Sequence, residues 1–351
     1  MKKNLDPDEM PKWLSSLWET NINDLVKAGI NDDDCAILKL SDDLDLVITT
    51  DFLNSSPIGI ELGISEPFNI GRLIVGSNIS DLCGTGAEPI AFLLGLMLKK
   101  GSSVDKYKEI VLGVKHELDN LNIPLVGGDS KLGKENSFYG IALGISSAQR
   151  KLYTKNGAKP GDIIWVSGAC GSVGAAVYGL SNKLMNIEWD NWAKSRINEP
   201  VLPIVKSKFV AEAKIGNGGT DVSDGLGSDL KSISDASNVG IVINCDSIPI
   251  EDEVKLLAEK MNIPAWFFSF SIGGDFQFVV TTESCCQEQM VDMGFYNIGY
   301  TTNADNSYIV HNGKRRIMPI LGHRDLRKVS FGDEVNSLLK DLNNNLKEDD
   351  K

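Results

Sequence analysis

The sequence predicts an α+β protein of two domains. Strand-like and helix-like segments alternate along most of the chain. A turn-rich stretch, Lys155-Asn-Gly-Ala-Lys-Pro-Gly161, interrupts them once, and 351 residues exceed what a single small core usually serves. The expected division is residues 1–150, residues 151–332, and a polar tail over 333–351 rich in Asn, Asp and Lys.

The first half opens on Trp13, Leu14, Leu17, Trp18, Ile22 and Leu25, whose spacing predicts an amphipathic helix over 11–28. Leu44 to Thr50 is rich in β-branched residues and reads as a strand running into Asp51. Asn69 to Cys83 reads as a helix that sets Ile70, Leu73, Ile74, Ser77, Asn78 and Asp81 on one face. A strand over 89–98, a helix over 103–121, a short strand over 123–126 and another strand over 138–146 complete it. In the second half a strand over 162–166 leads through a glycine-rich loop into a helix. Further helices are expected over 203–213, from Asp224, and near 252–260, with strands over 241–244 and 276–281.

Composition narrows the function without naming it. The chain is 42% hydrophobic and 24% charged with a net charge of −13. That balance argues against nucleic acid as the partner, and it suits equally a protein that holds divalent cations through carboxylates and a plain solvated acidic surface. The six cysteines are scattered without a C-x-x-C, so a reducing cytoplasm is expected. The longest apolar run, Ile90 to Leu98, has strand length and falls short of the roughly 20 residues of a membrane span. No apolar leader follows the first Lys residues.

Two glycine motifs are weak. Gly128 to Lys134 has P-loop spacing, but Glu135 stands where a hydroxyl should reach Mg²⁺ and a strand follows instead of a helix. Gly168-Ala-Cys-Gly171-Ser-Val-Gly174 reads as a structural strand-to-helix turn. The aspartates say more. Asp33 lies in an Asp triplet, Thr49-Thr50-Asp51 closes a strand, Asp81 shares a helix face with Asn78, Asp129 follows a Gly pair, and Asp221 and Asp224 bracket Ser223. Each alone is a turn or cap residue. Together they are the hard oxygen donors that Mg²⁺ on a polyphosphate requires, and they repel one another unless cations neutralise them.

At these residues the chain resembles thiamine-monophosphate kinase and, more broadly, the aminoimidazole-ribonucleotide synthetase superfamily. Gly29-Ile-Asn-Asp-Asp-Asp-Cys-Ala36 is similar to G-I-G-D-D-C-A, Thr49-Thr50-Asp51 to T-T-D, and Asn78-Ile-Ser-Asp-Leu82 with Gly86-Ala-Glu-Pro89 to N-x-S-D-x…G-A-x-P. Gly127-Gly128-Asp129-Ser130 is similar to G-G-D-T. Arg150 ahead of Gly157-Ala-Lys-Pro-Gly-Asp162 follows the family's arginine, and Asp221-Val-Ser-Asp-Gly-Leu226 is similar to D-x-S-D-G-L.

The resemblance implies mixed sheets covered by helices, a homodimer, and phosphoryl transfer from ATP with Mg²⁺. Asp33, Thr49, Thr50, Asp51, Asp81, Asp129, Asp221 and Asp224 would hold the metal. Thr50, Gly128, Asp129, Arg150 and Ser223 would meet the nucleotide, and Asp51, Asp129 and Asp224 would be central to catalysis. The acceptor side departs from the pattern. No histidine follows Asp51 before Ile58, and G-G-E-D-Y-E-L becomes Gly273-Gly-Asp275-Phe-Gln277-Phe278, leaving Asp275 and Gln277 as candidate substrate residues. Thiamine monophosphate is the default acceptor. An ATP-dependent amide- or carbonyl-activating synthetase or dehydratase is the alternative, and a non-catalytic nucleotide-binding paralogue is a third.

Overall fold

The computed structural model describes residues 10–17, 25–30, 32–271 and 273–319. The first half contains α1 (Met10–Leu17), β1 (Val26–Ala28), β2 (Ala36–Ser41), β3 (Leu44–Leu53), α2 (Ile58–Glu61), α3 (Pro67–Thr85), β4 (Glu88–Lys99), α4 (Val104–Leu121), β5 (Leu125–Gly133) and β6 (Ser137–Ser147). Its sheet has the order β1-β2-β3-β6-β4-β5, antiparallel except where β4 runs beside β5.

The helix expected over 11–28 is corrected here. It spans Met10–Leu17, while Val26 and Ala28 pair with Leu38 and Ile37 as an edge strand, so ladder bonding overrides helical spacing. The remainder of that expected helix, 18–24, lies outside the described residues, as does the tail over 333–351.

The second half contains β7 (Ile163–Val166), α5 (Ser172–Ser181), α6 (Ile187–Asn198), α7 (Ile204–Glu212), β8 (Gly216–Val222), α8 (Leu226–Ser237), β9 (Gly240–Asn244), α9 (Asp252–Met261), α10 (Trp266–Ser271), β10 (Gln277–Thr282), α11 (Gln287–Asp292), β11 (Tyr296–Thr302), β12 (Tyr308–His311) and β13 (Lys314–Ile317). The sheet order is β13-β12-β9-β11-β7-β10-β8, with β12 parallel to β9 and the other pairs antiparallel.

Helix α3 joins the two halves. It starts with a capping box between Glu66 and Asn69, with Pro67 in its first turn, and ends at Gly86 in a left-handed conformation. It packs on β3 and β6 of the first sheet, on α4, and on β8 and β10 of the second. Small residues make this possible. A Cβ on Gly84 would stand 2.4 Å from the Asp221 backbone nitrogen, and one on Gly71 would stand 2.0 Å from the Ile110 carbonyl oxygen. Contact this close buries nearly the whole C-terminal half of α3, including Asn78, Ser80 and Asp81.

Strand β8 was not foreseen, because Gly-Asn-Gly-Gly-Thr-Asp-Val reads as turn chemistry. All seven residues are buried although β8 is the last strand of its sheet. Its glycines admit Tyr153, whose ring would meet a Cβ on Gly219 at 2.5 Å.

Candidate active site

The alternation of β3 decides which side chains enter the site. Thr49 and Asp51 turn toward α3, and Thr50 turns to the opposite face, where it is exposed and donates to the Gly140 carbonyl oxygen at 2.8 Å. The Thr49 hydroxyl donates to Asp81 Oδ2 at 2.5 Å, and the Asp51 backbone N–H donates to Asn78 Oδ1 at 3.0 Å. Two residues beyond Asn78 on α3, Ser80 donates to Asp221 Oδ2 at 2.6 Å, and Ser223 donates to Asp221 Oδ1 at 3.2 Å. Thr220 on β8 donates to Asp34 Oδ2 at 2.9 Å. Side chains of both sheets therefore meet on the face of one helix.

Lys155 closes this arrangement. Its backbone N–H donates to Asp33 Oδ2 at 2.8 Å and its ammonium pairs with Asp34 Oδ1 at 2.5 Å. Burial works against that charge, but Asp34, Asp33 and Asp221 outweigh it and raise the lysine pKa.

The carboxylates are strained electrostatically. Burial, then Asp34, pushes the Asp33 carboxyl up to about 6. Burial, then Asp34 and Asp224, does the same for Asp51, also to about 6. Asp221 rises to about 8 through burial and Asp34. Asp81 lies well above the usual carboxylate range through burial, Asp221 and Asp51. Burial first, and mutual repulsion second, keep protons on these carboxyls above the ordinary range.

Four expected residues stand elsewhere. Thr50 faces away, because a contiguous T-T-D motif on a strand can aim only two of its three side chains at one face. Asp129 is exposed on the edge strand β5 and pairs with Lys131 at 2.8 Å. Its register runs Asp129–Gly95–Tyr139–Phe52, three strands from β3, which is about 14 Å at the usual strand spacing. Arg150 is buried between Glu88 and Glu212, 3.0 Å from each, and Lys155 is the cation among the aspartates. Gly128 also lies on β5, at φ +147, where a Cβ would meet the Leu94 carbonyl oxygen at 1.9 Å.

The sequence reading missed Asp34, Ser80, Thr220 and Lys155. Asp34 was in view within the Asp triplet, and Lys155 within the turn-rich break. Nothing in the spacing separated them from their neighbours.

Beyond β8 and β10 lies a cavity of about 470 Å³ lined by Ser167, Val173, Arg196, Pro200, Asp275 and Gln277, among others. Asp275 accepts from the backbone N–H groups of Gly171 (2.6 Å) and Val173 (3.0 Å). It thereby fills the N-terminus of α5, and the glycine loop over 168–174 serves as a structural turn. Gln277 accepts from Ser167 Oγ at 2.8 Å and is buried.

The chain matches the family of AIR synthase related protein, N-terminal domain, over residues 32–146, and that of the C-terminal domain over 159–312. It is 30% identical over 272 residues to a thiamine-monophosphate kinase of Methanocaldococcus jannaschii, covering 74% of this chain and 81% of that one. It belongs to this family. A Methanospirillum hungatei thiamine-monophosphate kinase is 32% identical, covering 70% of this chain and 77% of that one. Among solved structures, AaThiL complexed with AMPPCP and TMP superposes with a TM-score of 0.77 at 22% identity, covering 92% of this chain and 99% of that chain. Thiamine-monophosphate kinase from Stenotrophomonas maltophilia gives 0.69 at 25%, covering 83% and 92%. Membership makes the chain an ATP-dependent phosphotransferase of the kinase type, built on the AIR synthase related fold. Among the described residues no helix is long and apolar enough to cross a membrane.

Proposed function

We propose that this enzyme transfers the γ-phosphoryl group of ATP, with Mg²⁺, to a small phosphorylated acceptor held in the cavity beside α5. Thiamine monophosphate is the first acceptor to test. The observation that carries this reading is the gathering of Asp33, Asp34 and Asp221 about the half-buried Lys155, with Asp51 and Asp81 beside them on β3 and α3. The donor set fits Mg²⁺, being all oxygen and strongly repulsive when ionised. No three of these groups converge on a single point among the described residues. Mg²⁺ takes one or two carboxylates and completes its shell with water and phosphate oxygens.

Bound Mg²⁺ supplies charge neutralisation on the phosphates during an in-line displacement. The chain's own groups do the rest. Asp51 and Asp224 stand at the mouth of the site, and the buried Asp81 and Asp221 are oriented by Thr49, Ser80 and Ser223. Lys155 places a fixed positive charge beside them for the nucleotide phosphates, the role that the sequence motif suggested for Arg150. A phosphate acceptor is already anionic, so no general base is required.

We extend the reading to a cytoplasmic homodimer. The face of the first sheet opposite α3 carries Leu46, Ile48, Phe52, Ile141, Leu143 and Ile145, an apolar surface that a second copy would cover. Asp129, remote from the cluster of its own chain, would then be available to the partner's site.

Incubation with γ-labelled ATP, Mg²⁺ and a panel that includes thiamine monophosphate tests the reaction. A stable labelled product supports a kinase. Release of ADP and free phosphate with a dehydrated or cyclised product rejects that reading in favour of an activating synthetase or dehydratase.

A further inference from the structure

Asp229 sits in the first turn of α8, five residues beyond Asp224, and belongs to none of the motifs above. Gly225, at φ +97, turns the chain between them. Asp224 therefore stays at the solvent-facing mouth, while Asp229 goes underneath among Leu226, Leu230 and Ile233. Its side chain is buried, 6% exposed, and Oδ2 has no hydrogen-bond partner among the described residues. The charged groups that act on it are Asp221, Asp224, Asp34 and Lys155, drawn from three separate segments of the chain.

A bland account would place Asp229 in the first turn of α8 to favour the helix dipole. That gain is about 0.3–1 kcal/mol. Leaving a buried polar oxygen unpaired costs about 1–3 kcal/mol, more when it is charged. The helix alone therefore does not explain a carboxyl here. A donor that arrives with the ligand does, because it supplies the missing hydrogen bond and offsets the surrounding negative charge.

We propose that Asp229 is a positioning residue of the cation site: its Oδ2 accepts a hydrogen bond from water held on the cation beside Asp221 and Asp224. Mg²⁺ keeps several of its waters when protein-bound, and carboxylates behind the ligands orient them. The inference rests on the phosphotransferase reading and adds a residue whose role is to organise the shell around the ligands.

The test uses the full chain as wild type, Asp229→Asn and Asp229→Ala. Mn²⁺ binding is titrated by electron paramagnetic resonance with a non-hydrolysable ATP analogue present, and thermal unfolding is followed in chelator. Both variants are expected to bind Mn²⁺ about 10- to 100-fold more weakly. Their metal-free melting temperature is expected to equal or exceed that of wild type, since a repelled buried group has been removed. Mn²⁺ affinity within threefold of wild type overturns the assignment. So does a melting temperature lowered in both variants, or failure of both to fold without metal, because either outcome marks a structural role. If wild type itself takes up no Mn²⁺, the phosphotransferase reading falls too, which separates the two failures.

Discussion

Asp221, fully buried, and Asp275, half-buried, lie beside neighbouring strands of one sheet, yet they are treated in opposite ways. Asp275 is surrounded by donors: burial raises it to about 6 against the pull of three backbone N–H groups at the start of α5. Glu251, on the same cavity wall, accepts from Ser172, Trp192 and Arg196. Asp221 accepts from two hydroxyls, and burial together with the neighbouring Asp34 and Asp51 holds it at about 8. The cavity side is finished by the protein's own hydrogen bonds. The cluster side sets several aspartates against the single charge of Lys155, and the proposed cations are assigned to that side. In the function proposed above, the preorganised donors receive the acceptor and the excess carboxylate receives metal-bound phosphates.

The sharpest way to break this contrast is to remove a carboxylate at the mouth. Asp51→Ala and Asp224→Ala are each expected to lower kcat by about 10²–10³-fold, the cost of losing a group that organises transition-state charge. Circular dichroism should show the fold retained, and wild-type turnover in both would reject the assignment.

Next in size is Gly84→Ala. Its Cβ has no room against the Asp221 backbone, so overpacking between α3 and β8 should cost about 1–3 kcal/mol in denaturant unfolding. Nucleotide binding should weaken with it, because the same contact sets Ser80 against Asp221.

Two cations separate the regions further. Lys155→Met should weaken binding of an ATP analogue about tenfold or more, the value of a charge-assisted hydrogen bond. Arg150→Met should leave that affinity unchanged and cost only about 1 kcal/mol of stability, since Glu88 and Glu212 are half exposed. Calorimetric titration of both variants reads the difference, and the reverse pattern would restore Arg150 to the nucleotide.

These contrasts also mark what could be read from the chain. The order of motifs was enough to locate Asp33, Asp51, Asp81, Asp221 and Ser223, because each is tied to a strand end or helix face that local chemistry defines. Thr50 was misread because the motif is contiguous while a strand alternates. Arg150 and Lys155 are both basic residues ahead of Gly157, and only the turn over 155–157 and the contact with Asp33 tell them apart. The burial of β8 arises from α3 and α8 packing on it, and that of Asp229 from α8 packing on β8 and α10, a tertiary effect that composition does not encode.

A smaller effect is expected from pH. The folded state holds protons on Asp33 and Asp51 up to about 6, and on Asp221 up to about 8, against an ordinary value of 3.8. Their contribution to stability is complete below the ordinary value and is lost as pH rises through about 6 and then about 8. In differential scanning calorimetry, the melting-temperature gain on adding Mg²⁺ and an ATP analogue should therefore widen over that interval. A gain independent of pH would contradict the coupling.

The most direct measurement is calorimetric titration of a non-hydrolysable ATP analogue into the protein at pH 8, with Mg²⁺ and with chelator. If clustered carboxylates recognise phosphates only through cations, binding appears with Mg²⁺ and vanishes in chelator. Equal affinity in both solutions would contradict the account, as would no binding in either.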